Sequence, residues 1–333
     1  MKNTTITTLA ACLLGVAGAT AQNPPSAFTT PAGFVTHTLR AGQFNLIGLT
    51  LHEAVVVAGQ LDSVNGTTLG DNDVDFTTAL TDGTTYILEI TNATSPERIG
   101  TIQEVASWTA NTFETGDDLG AQGLVAGDTY QLRPAATLQQ VFGEPAQIGA
   151  SFTEIGADVV WLPDGAGDFT RYFFQGAPLN RWFNATTGNA VTEGIPIIYT
   201  DAFFVQVRST NDVDLVVTGN VKISNVNLAV FTGFNTVSGV FPVGSTLANS
   251  SLQADLTASF TEIGADVLWL PDGAGDFTRY FYQGTPLNRW FNASTNTAVA
   301  DPSVVVLPSA FFIQRRGATA DIGLTPPESY DDL

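Results

Sequence analysis

Cysteine is all but missing from this chain, with Cys12 the only one, and Cys12 lies in a stretch that reads as an export signal. A processed chain then carries no thiol, which excludes a disulfide framework and a cysteine nucleophile. Lysine is nearly as scarce, since beyond Lys2 only Lys222 remains. Histidine occurs only at His37 and His52. His52-Glu53-Ala54-Val55-Val56 begins like a zinc-protease helix but lacks the second histidine that would complete the metal pair. Positive charge is short overall: Lys and Arg total 12 against 32 Asp and Glu, for a formal net charge of −20. Such a surface repels phosphate backbones and anionic lipid, which argues against a nucleic-acid partner, while it favours solubility and attracts divalent cations. Also missing are a Gly-x-Ser-x-Gly elbow, a phosphate-binding loop and a dinucleotide fingerprint. The expectation is a protein that is not an enzyme, although 32 acidic residues leave a carboxylate pair for polysaccharide hydrolysis open.

The first residues, MKNTTITTLAACLLGVAGATAQ, have the order of a secretory signal. Lys2 supplies the positive end, Leu9 to Val16 the apolar run, and Ala19-Thr20-Ala21 a small-x-small cleavage site. Residues 1–21 are therefore expected to be a signal peptide, and its apolar run is too short to span a bilayer. Leu9-Ala10-Ala11-Cys12 can also be read as a lipid-attachment box at Cys12. Either reading places the protein outside the cytoplasm, in the periplasm, on the outer surface or beyond it.

What the chain has in plenty is repetition. The segment from Ser151 to Ala185 returns at Ser259 to Ala293, offset by 108 positions, and differs only at Val160/Leu268, Phe174/Tyr282 and Ala177/Thr285. The same offset pairs Phe203-Phe204 with Phe311-Phe312 and Gln206 with Gln314. Upstream, Phe44-Asn45-Leu46-Ile47-Gly48 answers Phe234-Asn235-Thr236-Val237-Ser238. Phe44 to Thr137 spans 93 positions where Phe234 to Thr246 spans 12, so the first copy holds 81 extra residues. An insert of that size can form a small domain. The plan read from this is a first module over 28–55 plus 134–220, an insert over 56–133, a second module over 221–325 and a frayed acidic tail over 326–333. Two copies at so long a period mean domain duplication and not a solenoid.

The expected fold class is all-β: two tandem sandwich-like modules, the first carrying an inserted small barrel-like domain. Phe169-Thr170-Arg171-Tyr172-Phe173-Phe174 suits a pleated surface, and Val159-Val160-Trp161-Leu162 is a short apolar run closed by Pro163. Tyr86–Ile90 and Asp128–Leu132 alternate with period two, and Asn65-Gly66 and Asp82-Gly83 mark turns. Helix is expected only at Ala136–Phe142 and, after a Ser245/Thr246 cap, at Leu247–Leu256.

Three duplicated constellations are candidates for function. Asp164-Gly165-Ala166-Gly167-Asp168 and its twin Asp272–Asp276 offer paired carboxylates on a glycine loop, so calcium is a candidate at Asp164, Asp168, Asp272 and Asp276; the alternative is a plain hairpin turn. Trp182 and Trp290, in loop-like Asn-Arg-Trp-Phe-Asn, are candidate platforms for stacking on sugar faces, against the alternative that they pack inside. Arg181 and Arg289 beside them are candidate ligand-gripping groups, as arginine stacks on rings and forks carboxylates. For these two and for Arg171 and Arg279 the alternative is a structural Arg–Asp pair at a loop.

Phe-Asn-Leu-Ile-Gly-Leu at Phe44–Leu49, Ala-Asp-Val-Val-Trp at Ala157–Trp161, Phe-Thr-Arg-Tyr-Phe-Phe at Phe169–Phe174, Trp182 and Ala-Phe-Phe-Val at Ala202–Val205 together resemble an uncharacterised family of exported bacterial β-rich proteins. The resemblance spans roughly residues 42–324, insert included. It implies export and a β-rich fold built on a repeated aromatic hairpin, and no activity. The leading functional expectation is a non-catalytic structural or adhesive surface protein. The alternative is a carbohydrate-binding protein with duplicated aromatic sites. Extracellular polysaccharide or other surface proteins are the expected partners.

Overall fold

The computed structural model describes residues 31–330. The expected signal segment with Cys12, and the last tail residues 331–333, lie outside them. Among the described residues the chain is all-β with three short α-helices, and no helix is long and apolar enough to cross a membrane.

Two six-stranded antiparallel sheets dominate. The first runs in the order Asn189–Ala190, Arg181–Asn184, Phe169–Gln175, Val159–Pro163, Phe203–Gln206, Phe44–Ile47. The second repeats that order with the equivalent strands: Thr297–Ala298, Arg289–Asn292, Phe277–Gln283, Val267–Pro271, Ala310–Arg315, Gly233–Ser238. The registers agree too. Trp161 lies opposite Arg171 on one side and Phe204 on the other, as Trp269 lies opposite Arg279 and Phe312.

The period-two rule assigns the faces. Val160, Leu162, Tyr172, Phe174, Trp182, Phe203 and Val205 point inward and join the main core. Over that face lies a two-stranded ribbon, Ala32–Leu39 with Val213–Asn220, which contributes Leu39, Leu215 and Val217. Val226–Val230 with Ala320–Leu324 does the same for the second module, supplying Leu228, Ile322 and Leu324. Each sheet and its ribbon form a sandwich-like pair of layers. Val159, Phe173 and half-buried Trp161 and Phe183 point the other way and form a small satellite cluster, duplicated around Val267 and Phe281.

The insert is a seven-stranded antiparallel sheet: Val57–Gln60, Thr129–Pro134, Tyr86–Asn92, Ile102–Trp108, Thr112–Thr115, Thr68–Gly70, Ser63–Asn65. Register shifts at Ile90/Asn92 and Val105/Ser107 add local twist and curl the sheet. It wraps its own core of Leu61, Leu69, Phe76, Phe113, Tyr130 and Leu132. Its first and last strands do not pair, so it is a half barrel and not a closed one.

Two local expectations need correction. Thr137 caps a helix over Leu138–Phe142 with a full capping box, but the second helix is only Leu252–Asp255. Thr246 bridges Val306 instead of capping, and buried Leu247 points into the core. The tail is not frayed over 326–330 either. Tyr330 is buried, stacks edge-on against Phe241 and donates its hydroxyl to the Val243 carbonyl at 2.9 Å.

The modules meet through equivalent positions. Phe204 and Phe312 face each other with ring centroids 6.1 Å apart. Ser238 Oγ donates to the Leu49 carbonyl at 3.1 Å. Gly48 is pressed there so closely that a Cβ would come within 2.0 Å of the Ser309 carbonyl oxygen.

Candidate functional site

The Trp182 and Trp290 platforms are overturned. Both lie on strands, Arg181–Asn184 and Arg289–Asn292, not in loops. Alternation along these strands sends the indole inward and the neighbouring arginine outward, leaving Trp182 1 % and Trp290 3 % exposed. Trp182 packs edge-on against Phe142 and Phe174, and Trp290 donates its indole N–H to the Leu247 carbonyl at 3.1 Å. Neither ring can reach a sugar.

The aspartate loops are turns built from their own atoms. Asp164 Oδ1 accepts from the Ala166 and Asp168 amides at 2.8 and 3.0 Å, and Asp168 Oδ1 accepts from the Phe169 amide at 2.8 Å. Asp272 and Asp276 repeat these bonds with Ala274 and Phe277. The amides hold the Asp164 and Asp272 carboxyls below their ordinary range. Gly165 and Gly167 have φ of +74° and +94°, a conformation side chains disfavour, which is why glycine stands at both positions. One oxygen of each aspartate, Oδ1, is thus already engaged by the turn's own amides. Among the described residues no group of three or more His, Cys, Asp or Glu is placed to hold a metal.

Arg171 combines two contacts. It pairs with Glu154 at 2.6 Å and lies over the Trp161 ring at 5.5 Å; Arg279 does both with Glu262 and Trp269. Its partner is thus a glutamate of the loop and not an aspartate. That pairing ties down the short 3₁₀ turn Glu154–Gly156, whose preceding Phe152 carbonyl accepts from Gln175 Nε2 at 3.2 Å. Gln175 in turn accepts from Arg181 Nε at 2.9 Å, and Arg208 donates to the Glu154 carbonyl. The second copy keeps the Gln283 and Arg289 bonds.

This clasp serves an unexpected end. It holds Ile155 with 86 % of its surface in water and Ile263 with 83 %, with Phe152, Phe260, Leu179 and Leu287 exposed as well. Sequence reasoning passed over Phe152 and Ile155 although both stand in the repeated segment; no pattern there distinguishes an apolar residue of a strand from one lifted on a turn. Around each knob the arginines are special. Among the described residues only Arg181, Arg208, Arg289 and Arg316 have no carboxylate within ion-pair distance, and these are two pairs at the 108-residue offset.

A second feature is a groove of about 620 Å³ on the module seam. Phe169, Phe204, Phe231, Phe234 and Phe312 line it, with Asp168 and Asp201 as its charges and no cation. Phe231 and Phe234 are exposed. Its counterpart, about 410 Å³ and likewise lined by both modules, contains Phe44, Phe277 and Asp276 but also Arg40.

The third feature is buried. Glu89 of the insert accepts from Lys222 Nζ at 2.7 Å, Arg133 Nη2 at 3.2 Å and the Tyr199 hydroxyl at 2.5 Å, along with Gln131, and Arg133 Nε lies 2.7 Å from its Oε1 as an ion pair. Burial would push the Glu89 carboxyl up, but the two cations outweigh it and hold the group ionised. Burial brings Lys222 down to about 8. His52 stacks against Tyr199 at 4.4 Å, and burial, with the Arg133 charge, depresses its pKa to about 3. Its Nε2 meets the Val240 carbonyl at 3.1 Å, so it belongs to a packed junction and not to a zinc helix. Glu89 and Arg133 come from the insert, Tyr199 from the first module, Lys222 from the link to the second and Val240 from the second. The cluster locks the three parts together.

Compared with known proteins, the chain matches no family model, no curated protein and no solved structure.

Proposed function

We propose that this chain is an exported, non-catalytic surface protein that works by adhesion or as a structural element, holding other macromolecules through duplicated apolar contacts. The observation that carries this reading is the pair of clasped knobs, Phe152 with Ile155 and Phe260 with Ile263. Exposed apolar residues grouped on one turn mark contact surfaces, and here ion pairs and hydrogen bonds fix their position. Two identical knobs on one body give avidity, which a catalytic site would not need. The buried groups Glu89, Lys222 and Tyr199 are engaged with one another. The export reading rests on residues 1–21 of the sequence.

The test is retention of labelled protein on the cell-envelope fraction of the producing organism, competed by unlabelled protein. Wild type is expected to be retained, and the Phe152→Asp/Phe260→Asp variant to wash off while keeping its circular dichroism. Equal retention of the two, or release of reducing sugar from a polysaccharide panel, would sink the reading.

A further inference from the structure

We infer that the partner of the knob is a second copy of this chain, with the knob of one molecule seated in the 620 Å³ seam groove of the next. This deepens the adhesive reading and rests on it.

Charge complementarity makes the choice. At −20 the chain repels most anionic surfaces and, at long range, its own copies, so any self-contact needs a local cation. The guanidiniums free of carboxylates are Arg181 and Arg208, both hydrogen-bonded to the residues that clasp the Phe152–Ile155 knob, and in the second module Arg289, bonded to the clasp at Gln283, and Arg316, which keeps the equivalent position but bonds Gln314 and not the turn. The groove offers the reverse: exposed phenylalanine rings beside Asp168 and Asp201, with no lysine or arginine. The 410 Å³ groove carries Arg40 and is the poorer acceptor. In chemistry and size the larger groove suits two apolar side chains flanked by a guanidinium, since sites of about 300–1,000 Å³ take guests of that bulk. Arginine can also stack on the phenylalanine rings.

Knob and groove are different surfaces, so the contact is heterologous. A heterologous contact propagates unless its rotation closes a ring. Two knobs per molecule allow branching where only one groove is suited. The product is a chain or network of copies, which agrees with a structural surface protein.

Sedimentation velocity from micromolar to millimolar concentration tests this. Wild type is expected to show a mass that climbs with concentration, and Ile155→Asp/Ile263→Asp to associate about tenfold more weakly or not at all. Two charge variants give the sharper test. Asp168→Arg/Asp201→Arg and Arg181→Asp/Arg289→Asp should each stay monomeric alone, since knob and groove then carry like charge. Mixed, they should co-assemble, because each knob now faces an opposite groove. A wild type that is monomeric throughout, or a mixture that fails to assemble, overturns the inference. If that monomer is still retained on envelope material through its knobs, the adhesive reading survives and only the partner is wrong. If it floats with neutral phosphatidylcholine vesicles, the partner is a lipid surface and the inference is equally overturned.

Discussion

Trp182 and Trp290 show how a one-residue step along a strand decides between a binding surface and a core. In Arg-Trp-Phe-Asn the arginine and phenylalanine face out and the indole faces in. The flanking asparagines imitate a loop, and Phe183 on the outer face spoils the polar–apolar alternation by which a half-buried strand is recognised. The tryptophan was therefore legible as important and illegible in direction. A core tryptophan makes a definite prediction. Trp182→Ala or Trp290→Ala should cost about 3–5 kcal/mol in urea unfolding, the range for removing a large buried ring. An exposed platform would lose almost nothing. Glu89 and Lys222 were illegible for another reason: the ion pair joins residues 133 positions apart. The one available signal was that Lys222 is the sole lysine after Lys2, set between Val221 and Ile223.

At the scale of elements, the duplicated hairpin was readable because its determinants are local. Pro163 ends a strand, Gly165 and Gly167 allow the left-handed turn, and aromatic residues resume the pleat from Phe169. The all-β class follows from many such segments. The half-barrel form of the insert was beyond reach, since closure depends on whether Val57–Gln60 and Ser63–Asn65 meet, a relation no local pattern encodes. The second helix was overdrawn because Leu247 belongs to the core through tertiary packing and not to an amphipathic turn. The turn chemistry of Asp164 carries its own prediction. With both acceptor positions of Oδ1 occupied by the Ala166 and Asp168 amides, calcium has little to gain. Melting curves in excess calcium and in excess chelator should superimpose, because a ligand that binds only the folded state would raise the midpoint. A rise with calcium would show that the loop rearranges to take the ion.

For the whole molecule, the question is what keeps two modules and an insert as one body. Asp201 stands where all three meet. Its backbone bridges Val237 of the second module, its side chain lines the seam groove, and the Glu104 carboxylate of the insert acts on it. Crowding by the surrounding protein lifts its pKa from 3.8 to about 6, and Glu104 adds in the same direction. A raised carboxyl pKa means that the folded state holds the proton where the unfolded chain has released it. Between those two values, then, the fold loses stability as pH rises, and above about 6 the loss is complete. Asp201→Asn removes the charge and with it the loss. Its melting temperature should match that of wild type near pH ~4 and exceed it near pH ~7.5, by a modest margin because water still reaches the side chain. Calorimetry of both proteins across that range checks the sign. Parallel curves would mean that the seam neither buries the Asp201 carboxyl nor sets it against Glu104.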